Sequence, residues 1–226
     1  MADIMCIGAH PDDVEIGMGG TVAACARDGA DVVIVDLTNG EPTPFGTPER
    51  RMAEAAESAR ILGCRRVTLG LPNRFLIDDV DARMALAEVV RIERPGVLFV
   101  PYPDDAHPDH LAAARIAEAS RFYAKLTKTS MPGEPFYPAR VYRYMAVHLR
   151  IVREPSFLAD ISETLDIKLD ALRAYASQFV DNEANAGVFE HVERTARGYG
   201  DYARVRAAEP FFALETPVVR RVTDLV

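Results

Sequence analysis

Short apolar runs that alternate with helix-length segments constrain this chain more than any other feature. The runs are Ile4 to Ala9, Asp31 to Leu37, Arg66 to Leu69 and Val97 to Pro101. Segments from about Gly17 to Arg27, Pro48 to Leu62, Asp79 to Glu93 and Pro108 to about Tyr123 read as helices. In the second run Val32, Val33, Ile34 and Val35 follow one another without polar alternation. That pattern belongs to a strand buried on both faces. The order β-α-β-α-β-α-β-α predicts an α/β fold, a doubly wound and mostly parallel sheet with helices on both faces.

Local signals mark the element ends. Thr47 is placed to cap a helix with Pro48 in its first position, and Gly63 to end it. Pro95-Gly96 separates the third helix from the fourth strand. Past Lys125 the pattern loosens. Met131 to Pro138 holds three prolines and reads as a loop. Arg140 to Val147 alternates like a strand, and Ile161 to Tyr175 reads as a helix capped by Ser162. Asn182 to Gly187 is a polar break before a final helix and a short strand near Phe211. At 226 residues and 49% hydrophobic content, the chain suits one domain, with a core over residues 1–125 and a C-terminal elaboration over 126–226.

Several function classes are excluded at this point. The longest apolar runs are far too short to cross a bilayer. The N-terminus lacks a basic leader, so the expected location is the cytoplasm. Lys plus Arg number 26 against 34 for Asp plus Glu, a net charge of −8, the wrong sign for a nucleic-acid partner. Cys6, Cys25 and Cys64 are isolated and read as small core residues of a reduced protein. Phe211 and Phe212 are candidates for a subunit contact in a homo-oligomer.

The chemistry concentrates at two strand ends. The first strand delivers His10-Pro11-Asp12-Asp13-Val14-Glu15, and the fourth delivers Asp104-Asp105-Ala106-His107-Pro108-Asp109-His110. In a sheet of order 3-2-1-4 these strands are neighbours at the switch point, where ligands bind outside the carboxyl ends. Taken alone, an Asp-Asp pair is ordinarily a solvated turn, and His-Pro-Asp-His before a helix is ordinarily an N-cap. Both on the two loops flanking the switch point is a much rarer coincidence. Two histidines and a carboxylate form a three-ligand site with an open position, as catalytic zinc requires. Zinc there acidifies a water and polarises a carbonyl. Asp12 and Asp13 are adjacent, so their side chains diverge; one can bind metal while the other takes a proton.

Other signals are weaker. Gly17-Met18-Gly19-Gly20 falls several residues after the strand end, too late for a dinucleotide loop, and is read as tight helix packing. Arg51 lies early in a helix that opens after a long loop, and Arg140 begins a strand. Either is ordinarily a solvated arginine. His148 and His191 lack metal-type spacing and read as surface or capping residues. Neither cluster offers a serine elbow or a cysteine nucleophile.

Ala9 to Thr21 resembles the signature A-H-P-D-D-x-E-x-G-x-G-G-T of the PIG-L/LmbE-like zinc-dependent N-acetylglucosaminyl deacetylases, and His107 to His110 matches their second signature, H-P-D-H. Asp36 to Glu41, Gly46 to Glu49 and Tyr175 to Phe179 are similar to the bacillithiol-pathway branch, which acts on N-acetylglucosaminyl-malate. The resemblance implies a Rossmann-like fold and one zinc per chain, held by His10, Asp13 and His110. It implies Asp12 as general base, His107 as electrostatic or acid partner with Asp109 behind it, and Arg51 and Arg140 at the substrate. Near the start of the last long helix, where relatives often carry a tyrosine, this chain reads Gly187-Val188-Phe189. The expected substrate is an amino-sugar conjugate. Rival readings are another N-acetylglucosamine conjugate or chito-oligomer, an Fe(II) oxygenase using the same ligands, and a non-catalytic sugar- or nucleotide-binding module.

Overall fold

The structure, a computed structural model, describes residues 1–145 and 148–218. Chain order is β1 (Ile4–Gly8), α1 (Asp13–Arg27), β2 (Val32–Thr38), α2 (Pro48–Leu62), β3 (Arg65–Leu71), α3 (Val80–Glu93), β4 (Val97–Pro101) and α4 (Pro108–Ala124). Then come β5 (Arg140–Tyr144), β6 (Phe157–Asp160), α5 (Leu165–Arg173), α6 (Ala176–Phe179), α7 (Val188–Ala203) and β7 (Ala208–Ala213). The seven strands form one sheet in the order β3-β2-β1-β4-β5-β7-β6. Strands β1 to β5 run parallel, and β7 is antiparallel to both β5 and β6.

This is the doubly wound α/β sheet expected from the alternation, with β1 and β4 adjacent at the switch point. Every residue of β2 is buried, as its unbroken apolar run requires. One core layer packs Ile7, Val33, Val35 and Val100 against Leu86 and Val90 of α3 and Ile116 of α4. On the other face Cys6, Ile34, Phe99 and Tyr144 meet Val14, Met18 and Val22 of α1. Thr47 caps α2 by accepting from the Arg50 N–H, and Gly63 ends it in the left-handed region at φ 75°.

Three expectations require correction, and part of a fourth lies outside the described residues. Helix α1 begins at Asp13 rather than Gly17, because Asp12 turns the chain sharply at φ 116°; the helix then breaks at Met18. Ser162 does not cap α5, which starts after Thr164; its hydroxyl instead accepts from the Arg206 and Ala207 N–H groups. Phe211 and Phe212 are buried within the chain, ringed by Phe99, Phe157 and Tyr102, and are not a subunit surface. Strand β5 is described only as far as Tyr144; the last two residues of the expected run, 146 and 147, lie outside the described residues.

Candidate active site

The parallel strands set the site. Their carboxyl ends lie on one edge of the sheet, and the chain leaving β1 and β4 there carries both histidine clusters. A cleft of about 580 Å³ opens at this edge, within the range of small-molecule sites. His10, Asp12, Asp13, Arg51, His107 and His110 line it. So do Gly40, Pro42 and Thr43 from the long loop after β2.

At its floor three donor atoms converge. His10 Nδ1 lies 3.2 Å from His110 Nε2, which lies 3.2 Å from Asp13 Oδ1. His10 Nδ1 is 3.6 Å from Asp13 Oδ2. Ligands about 2.0–2.1 Å from a tetrahedral ion sit roughly 3.3 Å apart, so this triangle fits a small divalent cation such as zinc. The backbone holds the carboxylate in register, since the Ala9 and His10 N–H groups donate to Asp13 Oδ2 at 3.0 and 2.9 Å. Each imidazole has a carboxylate at its other nitrogen. Asp109 Oδ2 faces His10 Nε2 at 3.1 Å, and Asp105 Oδ2 faces His110 Nδ1 at 3.1 Å. Such partners fix the tautomer and raise ligand basicity.

Charge follows from these contacts. Burial alone would lift Asp13, yet the His110 and His10 imidazoles hold it below the usual carboxylate range. Burial opposes protonation of His110, but Asp13 and Asp105 push it up to about 10. Asp12 behaves oppositely. Burial, with some repulsion from Asp13, raises it to about 7 despite the opposing pull of Arg51. A base is most effective with a pKa near the working pH. Arg51 Nη2 donates to Asp12 Oδ2 at 2.7 Å and to the Pro11 carbonyl, above the Tyr175 ring. Nε and Nη1 of Arg51 are buried without a hydrogen-bond partner among the described residues. The left-handed backbone of Asp12 is strained for a non-glycine residue, and strain of this kind clusters at functional sites.

Asp109 does not stand behind His107. Its carboxylate is taken up by His10 and by the Arg74 and Leu76 N–H groups, at 2.6 and 3.2 Å. Only its backbone N–H meets His107, donating to Nδ1 at 3.1 Å. That bond places the proton of the neutral ring on Nε2. Burial, followed by the neighbouring His10 and His110, lowers the His107 pKa. The Asp109 charge raises His107 as expected, but burial and the two imidazoles outweigh it, and the carboxylate itself bonds His10 rather than His107. Arg140 is also misplaced. It pairs in register with Val97 at the amino end of β5, and its guanidinium reaches the Val218 carbonyl. Four residues of strand, roughly 13 Å, separate it from the carboxyl edge.

Sequence reasoning missed several lining residues. His148 stacks on His110 and His107, with ring centroids 5.1 and 5.7 Å apart. It follows β5, so the same carboxyl-edge rule applied to the fifth strand would have found it. Asp105, two residues before His107, does not line the cleft but stands behind His110. Asn73 and Arg74 follow β3, and Gln178, Asn185 and His191 come from the C-terminal third. Gly187 and Val188 line the cleft where relatives often carry a tyrosine, and no tyrosine is among the described lining residues. Asp36, at the end of β2 where a dinucleotide-binding sheet carries its ribose-binding acid, is occupied by Arg66 at 2.6 and 2.8 Å.

A doubly wound sheet with a His/Asp/His triangle at its switch point defines the class: an α/β protein with a candidate metal site at the carboxyl edge of its sheet. Residues 5–120 match the GlcNAc-PI de-N-acetylase family, PIG-L, and the chain belongs to that family. It is 31% identical over 193 residues to a diacetylchitobiose deacetylase of Thermococcus kodakarensis, covering 79% of this chain and 71% of that protein. It is 30% identical over 276 aligned positions to a 1D-myo-inositol 2-acetamido-2-deoxy-alpha-D-glucopyranoside deacetylase of Saccharopolyspora erythraea, covering 96% and 92%. Among solved structures, the conserved protein TT1542 of Thermus thermophilus superposes with a TM-score of 0.89 at 41% identity, covering 97% of each chain.

Proposed function

We propose that this chain is a metal-dependent amide hydrolase that removes the acetyl group from an N-acetylglucosamine conjugate. The observation that carries the reading is the donor triangle of His10, Asp13 and His110 beside a carboxylate, Asp12, raised to about 7. A divalent cation held there, zinc by the donor set, supplies positive charge that acidifies a water and polarises the acetyl carbonyl. Asp12 accepts the proton of the attacking water, and Arg51 holds its carboxylate in place. As the water oxygen bonds to the acetyl carbon, the Nε2–H of His107 donates a hydrogen bond to the developing oxyanion. Asp12 then passes the proton it took from the water to the amide nitrogen, the C–N bond breaks, and the amine and acetate are released.

The finer assignment is N-acetylglucosaminyl-malate, in bacillithiol biosynthesis in the cytoplasm. Charge in the cleft supports an anionic conjugate. Asp12 and Asp13 are the only acids among the described lining residues, whereas Arg51, Arg74 and Arg150 also line it, in a chain of net charge −8. With Arg51 paired to Asp12, Arg74 and Arg150 leave an excess of positive charge over Asp13, and such an excess raises the local concentration of an anionic substrate. No helix among the described residues is long and apolar enough to cross a membrane. Acetate release from N-acetylglucosaminyl-malate, N-acetylglucosaminyl-inositol, free N-acetylglucosamine and chito-oligomers tests both levels. Chelator-sensitive release from any of them supports the hydrolase, and preference for the malate conjugate supports the finer assignment. No release from the panel with metal supplied overturns both. Turnover that requires oxygen would point instead to the Fe(II) oxygenase chemistry open to the same ligands.

A further inference from the structure

Helix α1 carries Asp13 in its first turn and is broken at Met18, where φ is −151° and ψ is 21°. N–H groups in the first turn after such a break lack carbonyl partners one turn back. Those of Gly20 and Thr21 donate to the Glu209 carboxylate of β7, at 3.1 and 2.7 Å. The Thr21 hydroxyl adds a bond of 2.6 Å, and Lys168 Nζ of α5 sits 2.5 Å from the same carboxylate. Both members of this ion pair are almost wholly buried. Around the break the glycines admit close neighbours. A Cβ on Gly17 would collide with the Tyr144 ring, and one on Gly20 would lie 2.7 Å from Ile161 Cδ1. Thr164 Oγ1 also donates to the Gly20 carbonyl, at 2.8 Å.

A buried ion pair is weak evidence for stability, since apolar replacements of similar volume are often neutral or better. An apolar side chain, however, cannot accept from Gly20 and Thr21. We propose that the buried Lys168–Glu209 pair is a positioning device for the metal site, acting as an internal cap that holds α1 in its broken form. Glu209 clamps the second half of the helix, and Lys168 neutralises the clamp. The break sets the angle at which the first half presents Asp13 to His10 and His110. Neither residue touches substrate or metal. The C-terminal elaboration thereby supports the placement of Asp13, a ligand carried by the first fifth of the chain.

The proposal rests on His10, Asp13 and His110 being the ligand set. If wild-type chain takes up no divalent metal, that reading fails before this one is reached. Zinc affinity is measured by chelator competition on full-length wild type, Glu209→Gln and the double variant Lys168→Met/Glu209→Met. Removing support from outside a metal's ligand shell typically costs about 10–100-fold in affinity. A loss of about tenfold or more is expected in both variants, with kcat reduced at saturating zinc and KM unchanged. Wild-type zinc affinity in the double variant, whatever its melting temperature, overturns the proposal. Should the charged-site variants not fold, Thr21→Val removes only the hydroxyl contact and is expected to weaken zinc binding to a smaller extent. Unchanged affinity in Thr21→Val would then count against the clamp.

Discussion

Replacing Asp109 with asparagine separates two roles for a single carboxylate. In the structure Asp109 receives the His10 ring and two backbone N–H groups, and no side-chain bond links it to His107. An asparagine offers one acceptor oxygen in place of two and turns an NH2 group toward at least one of the three donors. The His10 ring loses its charged partner, which predicts a fall in zinc affinity of about 10–100-fold. That is about 1.4–2.7 kcal/mol of binding free energy at tenfold per 1.4 kcal/mol. An unsatisfied buried donor costs about 1–3 kcal/mol of folding stability. For a chain of this size each kcal/mol lowers the melting temperature by about 2–4 °C. Chelator competition and thermal unfolding read the two effects, and Asp105→Asn, which unpartners His110, should parallel the first. If Asp109 instead tuned His107, zinc affinity would stay at the wild-type value and the alkaline limb of kcat/KM would move to lower pH. That pair of results would refute the assignment of Asp109 to His10.

Three further outcomes are expected. Asp12→Asn should retain zinc and lose about 10²–10⁴-fold in kcat, the usual contribution of general acid–base help, whereas Asp13→Ala should lose zinc itself; a metal-free Asp12→Asn protein that folds normally would reverse the two roles. His110 sits at about 10 in the metal-free chain against about 6.5 unfolded. Its contribution to metal-free stability is therefore fully present below pH about 6.5 and lost as pH rises through about 10, while zinc uptake must displace its proton. Apparent zinc affinity should thus rise with pH up to about 10 with release of a proton, and calorimetry in buffers of different ionisation enthalpy would detect its absence. Arg140→Ala should leave kcat and KM unchanged, because its guanidinium lies at the amino edge of the sheet, and a raised KM would restore it to the substrate site.

Sequence alone determined the layered sheet, the adjacency of β1 and β4, and the meeting of both histidine clusters at one edge. These features are legible because strand and helix periodicities are local, and the parallel alternation leaves few topologies. The α5 boundary and short elements such as β6 and α6 were not legible, since Ser162, Thr164 and their neighbours offer competing caps and turns. Only the tertiary structure decided which carboxylate serves which ring. His10 and Asp109 lie 99 positions apart, and Asp12 and Arg51 lie 39 apart. No local period encodes such pairings; they depend on strand register and on where each helix enters the edge. The same register removed Arg140 from the site, brought His148 into it, and set Glu209 against Thr21, just past a helix break and 188 residues earlier in the chain. Side-chain partnership across a sheet edge is settled by packing, and the packing of α1 draws on the whole length of the chain.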